Sequence, residues 1–273
     1  MSIRKTILGA FAAVTLAAAG AHAQDKSIIV QSTTSTQNSG LYGYLLPIFK
    51  KETGITVNVV AVGTGQALKN GANCDGDMLI VHAKPAELKF VAAGHGINRH
   101  DLMYNDFVIV GPASDPAGIK GMKDVEAALK QIADKKALFA SRGDDSGTNK
   151  AEMRLWQAAN IDPKQGSGDW YRETGSGMGA TLNASVGMGA YTLTDRSTWI
   201  SFKNKGDFSI DVQGDPRLFN QYGVMLVNPK KCPAVKQDLA QQFEDWLLSK
   251  HGQEVIAGYH VDGQQLFFPN AKM

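Results

Sequence analysis

The chain has 273 residues, 43% apolar and 20% charged, a balance that allows one large domain or two lobes and excludes wholesale disorder. Arg4 and Lys5 are the only formally charged residues among the first 23. Without them 26 basic residues face 26 acidic ones, which removes the case for nucleic-acid binding or adhesion to an anionic membrane through a basic surface.

Residues 1–23 read as a secretory signal peptide. Arg4 and Lys5 form its positive start, residues 7–19 a mostly apolar run, and Ala21-His22-Ala23 a small-x-small cleavage site before Gln24. A membrane span needs about 20 apolar residues, more than this run supplies. No cysteine stands near the cleavage site to carry a lipid, and no later stretch is long and apolar enough to span. The mature chain is therefore expected in a bacterial periplasm, without a membrane anchor and as a monomer. That compartment is oxidising, so Cys74 and Cys232 could pair, although sequence does not show that they are close.

The rest of the chain alternates strands and helices. Residues 27–31 are a β-branched strand, 32–39 a hydroxyl-rich turn, and Ser39 a plausible N-cap for a helix through Leu41, Leu45, Ile48 and Phe49 that Gly54 ends. A strand over 55–62 is followed by Gly63-Thr64-Gly65 and a helix over 66–70. Then come a buried strand over 78–81, a helix over 85–93 and a strand over 107–110. A second unit places helices over 123–133, 150–159 and 180–186 and strands over 137–140 and 191–193. Last come a strand over 221–227 and one long amphipathic helix over 234–249. This rhythm predicts an α/β fold of mostly parallel sheets flanked by helices. Crossovers near 110–112 and 213–222 would divide it into lobe 1 (24–110 and 214–273) and lobe 2 (111–213). Ligands in such sheets bind beyond the carboxyl ends of the strands.

Four strand-to-helix junctions are rich in small hydroxyl residues and glycine: 32–36, 63–65, 141–148 and 174–177. Helix N-termini carry unpaired N–H groups and about half a positive charge, which suits a phosphate-like dianion. Thr33, Thr34, Ser35, Thr64, Gly65, Ser146, Gly147, Thr148 and Gly177 are the candidate neutral donors and close-approach positions, and Arg142 a forked cationic donor. Any one of these loops alone is better explained by capping and turn formation, and Arg142 also fits an ion pair with Asp144 or Asp145; four such loops on two lobes shift the balance towards a ligand cleft. A carboxylate facing the ligand would accept a proton from hydrogen phosphate and repel a fully ionised oxyanion. No catalytic residue, resident cofactor or bare metal ion is expected. Gly143-Asp144-Asp145-Ser146-Gly147 has one residue too many for a serine-protease motif, and the histidines show no metal-ligand spacing.

At these loops the chain resembles the tungstate-binding, substrate-binding proteins of ABC transporters. The matching segments include Ser32-Thr33-Thr34-Ser35-Thr36, Val60 to Ala67, Met103 to Pro112, Ser141 to Thr148, Glu173-Thr174-Gly175 and Tyr191 to Arg196, spread over most of residues 27–260. The resemblance implies a two-lobed type II periplasmic binding fold that closes on an oxyanion in the interlobe cleft and then docks on a membrane permease. The family's Thr-Thr-Thr-Ser motif falls on Ser32 to Ser35, with Ser32 keeping the hydroxyl, and its arginine falls on Arg142. Cys74, Cys232 and the segment His82-Ala83-Lys84-Pro85 depart from the pattern without touching the donors. Preference for tungstate over molybdate rests on the resemblance. The alternatives are a binding protein for molybdate, phosphate or sulfate, or a periplasmic hydrolase of phosphate or acyl esters.

Overall fold

The computed structural model describes residues 26–272, so the leader expected over 1–23 lies outside the described residues. The first β-branched run forms β1 (Ser27–Thr33), whose last four residues are all buried, as expected of a central strand covered on both faces. The chain continues through α1 (Thr34–Asn38), α2 (Leu41–Thr53), β2 (Thr56–Val62), α3 (Thr64–Ala72), β3 (Met78–Val81), α4 (Lys84–Ala92) and β4 (Gly96–Gly111). Next come α5 (Val125–Asp134), β5 (Phe139–Ser141), α6 (Gly147–Ala158), β6 (Tyr171–Glu173), α7 (Met178–Met188), β7 (Tyr191–Asp195), α8 (Arg196–Ser201) and β8 (Ser209–Val212). It then returns through β9 (Phe219–Val227), α9 (Gln237–Leu248) and α10 (Lys250–Ala257). Among the described residues no helix is long and apolar enough to cross a membrane.

The strands form one sheet in the order β2-β1-β3-β9-β4-β7-β5-β6. Each end is parallel: β1 pairs with β2 and β3, and β5 with β6 and β7. The two ends are joined by the long strands β4 and β9, which run antiparallel to each other and to their neighbours. β4 serves both halves. Its residues as far as Asp106 pair with β9, and Phe107 onwards pairs with β7. Residues 107–110, expected to end lobe 1, thus pair inside the second half. Arg196 holds the switch point by donating to both oxygens of Asp106 at 2.7 and 2.6 Å. Each half has its own core, one built around Phe49, Tyr222, Phe243 and Phe267, the other around Phe139, Trp156, Tyr171 and Tyr191.

Three local expectations change. Ser32 and Thr33 extend β1, and Thr34–Asn38 is helical rather than a turn, because Thr33 caps it by accepting from Thr36 N at 3.2 Å. The strand expected at 107–110 is the end of a 16-residue strand, whose polar first part includes Arg99, paired with Glu87 at 2.9 Å. The long C-terminal helix breaks at Ser249, which adopts extended backbone and caps α10 through Gly252 N. Gly54 ends α2 in the left-handed region, as a C′ glycine should. Cys74 and Cys232 are disulfide-bonded, tying the end of α3 to the segment after β9.

Candidate functional site

Arg142 follows β5 directly and is 1% exposed. Its guanidinium crosses from the second half to the first. Nη1 donates to Ser35 Oγ at 3.3 Å and Nη2 to Thr34 Oγ1 at 3.0 Å, both in α1. Nε donates to the Ser176 carbonyl at 3.3 Å, and Nη2 also donates to Asp144 Oδ2 at 2.6 Å. Thr34 Oγ1 additionally accepts from Met178 N at 3.4 Å, so the first turn of α7 meets α1 at the same atom. A hydroxyl that accepts from N–H groups keeps its own hydrogen. Thr34 and Ser35 are therefore held by the guanidinium with their O–H groups still available to donate.

A second contact joins the halves through α3 and α6. Gly65 N donates to the Asp145 carbonyl at 3.2 Å. A side chain at Gly65 would collide with the Asp145 carboxylate, and a Cβ on Gly63 would stand 3.4 Å from Ser146 Cα. Glycine here is a requirement of close approach. Thr64 Oγ1 and Thr148 Oγ1, in the first turns of α3 and α6, are both buried without a hydrogen-bond partner among the described residues. Such a group costs about 1–3 kcal/mol when left unpaired. Two such hydroxyls, one from each half, are unusual enough to ask what acceptor they could serve.

The expected residues sort into three roles. Thr34, Ser35, Arg142 and Gly177 meet in one cluster, where a Cβ on Gly177 would lie 3.1 Å from Thr34 Cγ2. Thr64, Gly65, Ser146, Gly147 and Thr148 line the α3–α6 approach, with Gly147 against His82. Thr33 and Ser146 use their hydroxyl oxygens to cap α1 and α6, accepting from Thr36 N and Asn149 N. Among the described residues no histidine hydrogen-bonds Ser146 Oγ, the arrangement that a serine nucleophile uses. A groove of about 540 Å³ borders this region through Gly147 and His82, and the Thr34–Arg142 cluster lies outside it.

Several participants were not among the expected donors. Asp195 is fully buried, caps α8 through Thr198 N at 2.9 Å, and accepts from the Ser197 and Thr198 hydroxyls. A buried amide chain leads to it: Asn220 Nδ2 donates to Asn105 Oδ1 at 2.7 Å, and Asn105 Nδ2 to Ser197 Oγ at 3.1 Å. His82 closes the far end, its Nδ1 lying 3.2 Å from Asn220 Oδ1. Burial holds its ring neutral with the pKa lowered to about 4. Arg142 adds to the depression, and Asp195 opposes it. Beneath the arginine loop, buried Glu152 accepts from Ser141 Oγ at 2.7 Å, Tyr171 OH at 2.6 Å and Trp156 Nε1 at 3.1 Å. Burial raises its pKa to about 7 despite those donors. Signals for these residues would have required knowing which strands become neighbours. Among the described residues no group of three or more His, Cys, Asp or Glu is placed to hold a metal ion.

The arrangement offers neutral hydroxyl donors and helix N-termini from both halves around one cation, the chemistry of a small oxyanion. Comparison with known proteins agrees with that chemistry. The profile of the PBP superfamily domain matches residues 17–251. A tungstate-binding protein TupA of Peptoclostridium acidaminophilum is 50% identical over 249 residues, covering 90% of this chain and 86% of the relative. The TupA of Campylobacter jejuni is 39% identical, covering 87% and 89%. Among solved structures, that of a tungstate ABC transporter from Geobacter sulfurreducens superposes with a TM-score of 0.78 at 51% identity, covering 86% of this chain and 99% of that one. With that profile along most of its length and relatives this similar across both halves, the chain belongs to the PBP superfamily, in the family of ABC-transporter substrate-binding proteins.

Proposed function

We propose that this protein captures tungstate in the periplasm and delivers it to the permease of an ABC transporter. The observation that carries the reading is the donor set. Thr34 and Ser35 are held by Arg142 with free O–H groups, and Thr64 and Thr148 are buried hydroxyls without partners. Tungstate is a tetrahedral dianion whose lost hydration these hydroxyls and the first-turn N–H groups of α1, α3, α6 and α7 would replace. Arg142 and the helix dipoles offset its charge. Thr34, Ser35 and Thr64 come from one half, and Arg142, Ser146, Gly147, Thr148 and Gly177 from the other, so only the closed form presents all donors. No bond is made or broken in this cycle. The closed monomer is the species that a permease would recognise, and release follows when the halves part.

Titration calorimetry of the mature, ligand-stripped protein with tungstate, molybdate, sulfate and phosphate tests the reading. Tight tungstate binding with sulfate and phosphate silent is the expected result. Molybdate, equal in charge and shape, measures how finely the cavity discriminates. Binding of phosphate alone would reassign the ligand, and silence from all four would reduce the hydroxyl loops to caps and turns.

A further inference from the structure

Arg142 already holds an anion of its own. Asp144 Oδ2 accepts from its Nη2 at 2.6 Å, the shortest hydrogen bond the guanidinium makes, while Asp144 Oδ1 accepts from Ser146 N, at the mouth of α6, at 3.2 Å. A cationic fork and a helix-terminal N–H are the two donor types that an oxyanion would seek here. The carboxylate thus stands on the donors as a resident monoanion. It is also able to leave. Its side chain retains 16% exposure, and the residues on either side, Gly143 and Asp145, adopt the left-handed region at φ +60° and +58°, in a loop between β5 and α6. Asp145 is occupied elsewhere, its carboxylate paired with Lys150 and its carbonyl with Gly65 N.

We infer that Asp144 is an internal competitor that sets a charge threshold at the site, an inference resting on the oxyanion reading above. Binding is then an exchange: the incoming oxyanion displaces the Asp144 carboxylate from Arg142 and Ser146 N, and the carboxylate turns to water. A dianion gains more from the guanidinium and helix dipoles than the carboxylate loses. A tetrahedral monoanion of the same size replaces like charge with like charge and gains nothing. Asp144 therefore selects dianions over monoanions without touching the bound ligand.

The test uses Asp144→Asn, which keeps an acceptor for Ser146 N, with Asp144→Ser as a second variant should the first fold poorly. Calorimetry with tungstate and with perrhenate, a tetrahedral monoanion, reads the threshold. Wild-type protein should bind tungstate and reject perrhenate. The Asn variant should bind tungstate roughly tenfold or more tighter, the equivalent of one charge-assisted hydrogen bond no longer broken, and should gain perrhenate binding. Asp238→Asn removes the same formal charge from the exposed start of α9 and should leave both titrations as in wild type. A folded Asn variant that binds tungstate no tighter than wild type would overturn the inference and make Asp144 a clamp that orients Arg142. Wild-type protein without affinity for any of the four oxyanions would overturn the reading of the site itself.

Discussion

Thr148→Val replaces a buried hydroxyl that has no partner among the described residues by a methyl group of the same shape, and Thr64→Val does the same across the cleft. Two effects of opposite sign follow. In the ligand-free protein the wild-type hydroxyl is desolvated without compensation, a cost of about 1–3 kcal/mol. Each Val variant should be more stable by a similar amount, raising the thermal midpoint by about 2–4 °C per kcal/mol for a chain of this size. In the complex the same hydroxyl donates to a charged oxygen, a bond worth about 1.5–3 kcal/mol. Its loss should weaken tungstate binding by roughly 10- to 150-fold. The assay pairs thermal unfolding without ligand with calorimetric titration. It should show the Val variants melting higher alone and gaining less from saturating tungstate than wild type. A Val variant that melts lower without ligand would mean the hydroxyl was satisfied, and one with wild-type affinity would place the anion elsewhere. Either result refutes the reasoning.

Other expectations follow from the same geometry. Arg142→Lys keeps the charge but loses the fork that reaches Thr34 and Ser35 together, so tungstate affinity should fall at least about tenfold with the fold intact, and an unchanged titration would remove Arg142 from the site. The Cys74–Cys232 bond spans 158 residues of sequence. Its reduction, or Cys74→Ala with Cys232→Ala, should lower stability by up to about 5 kcal/mol in urea titrations on the chain-entropy account, and an unmoved midpoint would contradict it. Burial keeps Glu152 protonated in the folded protein to about pH 7, whereas the unfolded chain releases that proton near the ordinary glutamate value of 4.5. Between those values the native state binds more protons than the unfolded one, so this residue's contribution to stability falls as pH rises, by a total on the order of 3 kcal/mol. Glu152→Gln should flatten that slope relative to wild type between pH 4.5 and 7, and parallel stability curves for the two proteins would disprove the assignment.

Much of the fold is legible where local chemistry decides it. The apolar run at 78–81 becomes a strand buried on both faces, and the β-branched run at 28–30 a strand that buries Ile28 and Val30 while Ile29 faces outward, because such residues fit an extended, pleated chain. Gly54 ends α2 because only glycine enters the left-handed region without strain. The polar stretch Asn98-Arg99-His100-Asp101 carries no comparable signal. It is strand because β9 lies alongside and Glu87 neutralises Arg99, both distant in sequence. The break at Ser249, by contrast, is local: its extended backbone and its cap on Gly252 N end one helix and start the next.

The candidate site divides in the same way. Hydroxyl and glycine residues at four strand-to-helix junctions, and one arginine among them, are visible in the sequence because helix N-termini need them wherever they sit. Their separate tasks are not. Thr33 and Ser35 are two residues apart and chemically alike. The first turns inward to cap α1, and the second faces a guanidinium from the other half of the molecule. Asp144 and Asp145 are adjacent carboxylates, yet one holds Arg142 and the other Lys150. Asp195, Asn105, Asn220 and His82 become one buried chain only when β4, β7 and β9 lie side by side. The sequence by itself determined the alternation of elements and the class of donor at each loop, since these depend on neighbours within one turn or one strand. Which hydroxyls meet the arginine, which acid pairs with it and which cysteines bond was decided by tertiary structure, because hydrogen bonds and charges act over a few ångströms of space whatever the distance along the chain.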